Sequence, residues 1–155
     1  MTRVASISVP GASIPAGASY AFLGGSGVTE QGRTASVIEA ALVESIHAEM
    51  QTRGFQLSAS RDADILFGFI ASPTEDLDPD ETMRRFGVYL GKDGWNSPAP
   101  TGSLLVLLVG RQTQSALWRA SIQADVREDL GDRERAERIS GFIARLFRTF
   151  PPTGE

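Results

Sequence analysis

Apolar positions recur along this chain in two rhythms. Ile38, Leu42, Ile46 and Met50 fall at the i, i+4 spacing that stacks side chains on one face of a helix. Glu39, Glu44, Glu49 and Arg53 take the other faces. Ser36 and Glu39 stand at capping-box spacing, in which each side chain satisfies the other's orphan backbone N–H. Gly54 follows as a residue that can turn left-handed and end the helix. A second stripe runs through Ile139, Phe142, Ile143, Leu146, Phe147 and Phe150, the face of a core-packed helix capped by Asp132 and stopped by Pro151-Pro152.

Between the stripes the pattern predicts strands. Ser19 to Leu23 is short and carries Tyr20 and Phe22, and Gly24-Gly25-Ser26-Gly27 ends it. Phe55 to Ser58 opens another, Ala63 to Ala71 reads as a buried strand, and Arg85 to Leu90 alternates loosely. Residues 72–83 form an acidic loop with Pro73 and Pro79, and Gly91 to Pro100 is loop. Ser103 to Val109 is apolar after its first residue. Ala116, Trp118, Ala120 and Ile122 then alternate with Leu117, Arg119, Ser121 and Gln123. The short polar connection at Gly110–Ser115 makes these two runs an antiparallel hairpin, whose edge is available to pair with another copy. Residues 1–18, rich in Ser, Gly, Pro and Ala, read as an extended arm holding at most one edge strand, with 19–152 as a single domain. The order β-α-β-β-β-β-α predicts an α+β fold: a largely antiparallel sheet with two long helices packed on one face.

Composition narrows the function classes. At 155 residues the chain is one domain's worth, long enough to bury a core. Its net charge of −4 argues against a nucleic-acid partner, which needs a basic footprint to displace counterions. Lys92 is the sole lysine, a bias toward arginine read first as compositional and second as phosphate recognition. With no cysteine there is no disulfide, thiolate metal site or cysteine nucleophile. The Val4–Val9 run is too short and polar for a signal-peptide core, and no run reaches the ~18 apolar residues that span a bilayer.

Several motifs invite chemistry. Gly27 to Thr34 has the glycine spacing of a phosphate-binding loop, but Arg33 occupies the place of the lysine that contacts the phosphates. A small nucleotide- or divalent-ion-binding enzyme using the 24–34 glycine loop is therefore the alternative reading. Asp76, Asp78 and Asp80 match the first three ligands of a calcium loop, whereas Glu81 and Gly87 occupy the positions that need glycine and glutamate; a solvated acidic loop is expected rather than a metal site, with weak divalent-ion binding by these three as the alternative. His47 is the only histidine, which rules out a histidine metal cluster. Asp64, at a strand start, is placed to anchor backbone. Trp95, in the loop Lys92-Asp93-Gly94-Trp95-Asn96-Ser97, joins Arg119 and Arg33 as the candidate ligand-binding residues. Arg133, Arg135 and Arg138 with Glu134 and Glu137 read as a solvated, ion-paired face, and Arg145 and Arg148 suit the negative end of the last helix. No catalytic constellation and no cofactor are expected.

The order of several segments is distinctive. Ser19-Tyr20-Ala21-Phe22, a long helix ending at Gly54-Phe55, Ala63-Asp64-Ile65, Thr101-Gly102-Ser103-Leu104, Leu117-Trp118-Arg119 and a final helix into Phe150-Pro151-Pro152 follow one another. In this the chain resembles the bacterial envelope lipoprotein family known as domain of unknown function 4136, over about residues 19–152. Gly110 and Ala120 stand where the family pattern has aspartate and glycine. The resemblance implies an α+β sandwich and no established activity. It also implies residence in the cell envelope or periplasm for a chain whose export segment has been removed; without such a segment the cytoplasm is expected. The expected partner is another protein or a second copy, with the membrane reached only through an anchor that these residues do not carry.

Overall fold

In the computed structural model, which describes residues 3–8, 13–23, 26–28, 33–58, 62–72, 104–111, 116–123 and 130–154, both stripes and the runs among these residues become elements. They follow as β1 (Arg3–Ser8), β2 (Ile14–Pro15), β3 (Ser19–Phe22), β4 (Gly27–Val28), α1 (Arg33–Thr52), β5 (Gln56–Leu57), β6 (Ile65–Ala71), β7 (Leu104–Gly110), β8 (Ala116–Gln123), α2 (Asp132–Leu146), a 3-10 turn at Phe147–Thr149 and β9 (Thr153–Gly154). The strand expected at Arg85–Leu90, the loop at 91–100 and the acidic loop beyond Ser72 lie outside the described residues.

Among the described residues the main sheet has seven strands, ordered β1-β8-β7-β6-β3-β5, with β4 beside β6. The four longest strands, β1, β8, β7 and β6, pair antiparallel. The short strands β3, β4 and β5 pair parallel, and α1 supplies the crossover that parallel neighbours require. Every residue of β6, and β7 up to Val109, is buried. This is why both segments are continuous apolar runs rather than alternating ones: each strand is covered on both faces.

The two helical stripes close over one face. Leu42, Ile46 and Met50 of α1 and Ile143, Leu146 and Phe147 at the end of α2 pack on Tyr20, Phe67, Val106, Leu108, Trp118 and Ile122. Burying a side chain of this size contributes roughly 1.5–3 kcal/mol. Ile38, Ile139, Phe142 and Phe150 flank that core half-buried. A smaller cluster on the other face holds Ala21, Ala63, Leu66, Leu107, Val109 and Ala116.

Ala116 belongs to the opposite face from Trp118, although alternation places the two together. The β7–β8 register shifts between Leu108 and Val109: Leu108 faces Trp118, and Val109 faces Ala116. Leu117 is thus the extra residue of a bulge, and it turns the strand over between its first residue and Trp118. The hairpin also has no free outer strand, contrary to expectation, because β1 covers β8 from Arg3↔Gln123 to Ser8↔Trp118. The N-terminal arm therefore builds sheet. It also supplies Ile14, fully buried, whose N–H donates to Pro152 O at 2.9 Å where β2 meets β9.

The helix starts differ from expectation. α1 begins at Arg33, so Ser36 lies inside the first turn and not at the cap. The N-cap of α2 is Gly131, with no side-chain cap bond, while Asp132 and Glu134 sit in the first turn where their charge suits the helix dipole. The end of α1 is as anticipated. Gly54 has φ +84°, its N–H donates to Gln51 O at 3.0 Å, and the Phe55 N–H donates to Met50 O at 3.1 Å, the paired bonds of a Schellman motif. The motif turns Phe55 into the core beside Met50. A side chain at Gly54 meets open space but must adopt the left-handed conformation. Gly54→Ala is therefore expected to lower the unfolding free energy by about 1–2 kcal/mol in denaturant titration, and Gly54→Asn by less.

Candidate functional site

Among the described residues, several polar side chains capable of chemistry are engaged by the fold. At the start of the parallel pair β3/β6, Asp64 Oδ2 accepts from the Ser19 N–H at 3.1 Å and the Ser19 hydroxyl at 3.3 Å, and Ser19 Oγ accepts from the Asp64 N–H at 3.0 Å. A carboxylate just before a buried strand thus anchors backbone, as the sequence suggested. Four residues on, Leu23 N–H donates to Phe67 O at 2.6 Å and Ser26 Oγ accepts from the Phe69 N–H at 3.2 Å. The strand expected to stop at Gly27 resumes there: Gly27–Val28 pair with Ile70–Ala71 as β4. Gly27, the first glycine of the phosphate-loop spacing, is thereby a strand residue.

His47, half-buried on α1, is hydrogen-bonded through Nδ1 to the hydroxyl of Tyr20 on β3. Tyr20 is fully buried, and this burial pushes its hydroxyl above the ordinary value of 10.0. A phenol whose folded-state value is raised holds its proton more tightly in the folded chain. The stability this confers is complete below pH 10.0 and is lost as pH rises through the folded-state value. Tyr20→Phe removes the hydroxyl and leaves Nδ1 without it. The variant is expected to unfold about 0.5–1.5 kcal/mol more easily at neutral pH and to show a shallower alkaline decline, measured by denaturant titration across pH.

Arg53, where α1 ends, lies over an aromatic group. Its Cζ is 5.1 Å from the Phe147 ring centroid and 5.8 Å from that of Phe150, Nη2 donates to Phe147 O at 3.2 Å, and Nη1 meets Glu49 Oε2 at 2.6 Å. Cation–π attraction and the carbonyl bond together tie the two helices' C-terminal ends to each other. On α2, Arg133 Nε meets Glu137 Oε1 at 3.2 Å with both side chains exposed, the ion-paired face the sequence implied.

The three candidate ligand-binding residues are not brought into one described site. Arg119 is 3% exposed, on β8 between Ile7 of β1 and Leu107 of β7, and faces away from the helices. Arg33 is the first residue of α1. Trp95, Asp76, Asp78 and Asp80 lie outside the described residues. Among the described residues there is no group of three or more His, Asp or Glu side chains that could hold a metal ion. No helix among them is long and apolar enough to cross a membrane.

The sheet's two ends stand out. Among the described strands β1 pairs only with β8, and none of them lies on its other side. At the far end, β5 pairs only with β3 among the described strands. There Leu57 is 55% exposed, the single large apolar side chain so exposed among the described residues. The signals for both were faint in the sequence: Val4 and Ile7 within a polar arm, and one leucine between Gln56 and Ser58.

No curated protein is a significant match to the chain. Among solved structures, a DUF4136 family protein from Bacteroides thetaiotaomicron superposes with a TM-score of 0.57 at 14% identity, covering 95% of this chain and 94% of that one. PelC from Paraburkholderia phytofirmans, a dodecamer, superposes with a TM-score of 0.56 at 11% identity over 99% of this chain and 100% of that one. Such likenesses establish a shared fold. A family model described as domain of unknown function (DUF4136) matches residues 8–152, nearly the whole chain, and the protein is a member of that family.

Proposed function

We propose that this protein is a non-enzymatic structural module of the bacterial cell envelope that works by assembling with further copies of itself. The observation that carries the reading is the six-residue strand β1 at the end of the sheet, whose outer side pairs with no described strand. An open edge of that length presents a row of backbone donors and acceptors to another chain. PelC, which shares the fold, is a dodecamer, so this architecture is compatible with a twelve-membered assembly. Three polar groups among the described residues serve the fold: His47 holds Tyr20, Asp64 holds Ser19, and Arg53 covers Phe147 and Phe150. The envelope location rests on the family resemblance.

Sedimentation velocity over a hundredfold range of protein concentration tests the assembly. A species well above the 16.6 kDa monomer is expected, and a monomer at every concentration overturns the reading. Fractionation of the producing bacterium tests the location, with recovery in the cytoplasmic fraction as the contrary result.

A further inference from the structure

We infer that copies join head to tail, the β1 strand of one adding to the β5 edge of the next so that the sheet runs on from copy to copy. The inference rests on the self-assembly reading above and names its surface. Edges that must stay unpaired are usually blunted by lysine, proline or a bulge. β1 has the sequence Arg3-Val4-Ala5-Ser6-Ile7-Ser8, with one charge at its very start, no proline and a regular ladder to β8. Alternate residues along it therefore turn N–H and C=O groups outward.

The β5 edge has the complementary features. Gln56 N–H donates to Ala18 O at 3.1 Å and Ser58 N–H donates to Tyr20 O at 2.8 Å, so both point inward to β3. Leu57 between them turns its own N–H and C=O outward, beside its 55% exposed side chain. An edge that offers backbone groups next to an uncovered apolar side chain gains both ladder bonds and apolar burial from an added strand.

Strand directions fit. Three antiparallel steps lead from β1 through β8 and β7 to β6, and two parallel steps lead on through β3 to β5. β1 and β5 consequently run in opposite directions. A copy placed beside the first in the same orientation adds its β1 to β5 antiparallel and keeps its helices on the same face. Within one chain the two edges are five inter-strand spacings apart, about 24 Å, so they meet only between copies. The contact is heterologous, and its repetition closes a ring or continues as a filament. Pairing of β1 with a second β1 leaves Leu57 uncovered.

The chain has no cysteine, which makes cross-linking a clean test. Ser6 and Ser8 share the helix-side face through Ala120 and Trp118, and Leu57 shares it through Tyr20. Leu57→Cys combined with Ser6→Cys, or with Ser8→Cys to allow a two-residue change of register, is expected under mild oxidation to give a ladder of dimer, trimer and higher species on a non-reducing gel, which a thiol reductant collapses. Each single variant is expected to remain uncross-linked. Leu57→Lys and Ser6→Lys alter exposed side chains and are expected to abolish the species above 16.6 kDa while leaving the far-ultraviolet circular dichroism spectrum of the folded chain unchanged. Dimers from Ser6→Cys or Ser8→Cys alone, with no ladder from the pairs, indicate β1–β1 pairing and overturn the inference. So does a wild-type protein that assembles while the paired cysteine variants give no ladder and the lysine variants still assemble, an outcome that leaves the assembly reading standing. A wild-type monomer overturns both.

Discussion

Trp118→Ala is expected to lower the unfolding free energy by about 3–5 kcal/mol, the range for deleting a buried aromatic side chain. Trp118 is fully buried, and its ring centroid lies 5.6 Å from Phe147 and 5.3 Å from Phe150. It joins β8 to the segment that leaves α2, and its Nε1–H donates to Thr149 Oγ1 at 3.3 Å. Alanine removes the apolar contacts and the donor together, and the sheet and helices around the site are held by their own hydrogen bonds, so the cavity closes only in part. Trp118→Phe restores most of the volume without the donor and is expected to cost less than half as much. Urea titration followed by far-ultraviolet circular dichroism reads both values. A loss under 1 kcal/mol for the alanine variant would contradict the packing described here.

Phe67→Ala is expected to be of similar size, about 3–5 kcal/mol. Phe67 is fully buried in β6, at the middle of the sheet. Its ring lies 6.2 Å from Tyr20, 6.2 Å from Phe22, 6.0 Å from Phe147 and 6.1 Å from Phe150. It thereby receives both β3 from the side and the α2 terminus from above. Domains are stable by only about 5–15 kcal/mol, so either variant consumes a large share of the total. Trp118 and Phe67 both pack on Phe147 and Phe150, whose own rings stack at 4.9 Å. The double variant is expected to depart from additivity by about 0.5–3 kcal/mol, because the first cavity already loosens the partners of the second. Additive losses would mean that the aromatic rings act as separate contacts.

The same aromatic group bears on assembly. Arg53 covers its outer side, Phe55 approaches Phe150 at 6.3 Å, and Gln56–Leu57 follow at once as β5. The exposed Leu57 is therefore held on a short strand that directly follows a Schellman turn and a packed phenylalanine. The added-strand interface proposed for this edge starts from an ordered surface and bears little ordering cost on association.

Much of the fold was legible before any coordinates. The stripe Leu42, Ile46, Met50 and the stripe Ile143, Leu146, Phe147 face the core as their spacing requires. Gly54 ends α1 in the left-handed conformation, and Asp64 anchors backbone at a strand start. The candidate site was less legible. That Arg119 opposes Trp118 follows from strand alternation, whereas its burial at 3% exposure depends on what lies over that face of the sheet. That His47 meets Tyr20, 27 residues earlier in the chain, depends on how α1 lies across β3. The hairpin was expected to offer its edge to another copy, but β1 occupies it, and the outermost described strands are β1 and β5.

Sequence alone determined which segments are helices, which strands are buried on both faces, and which side of each helix faces inward. These follow from side-chain periodicity, a property of neighbouring residues. The tertiary structure decided the rest: that β1 covers β8, that β3 and β4 share one side of β6, that Leu117 bulges and turns Ala116 over, and that β1 and β5 are the outermost of the described strands. The physical reason is that a strand's backbone donors and acceptors suit any partner equally well. Which strand takes them is settled only when the whole apolar surface is buried at once.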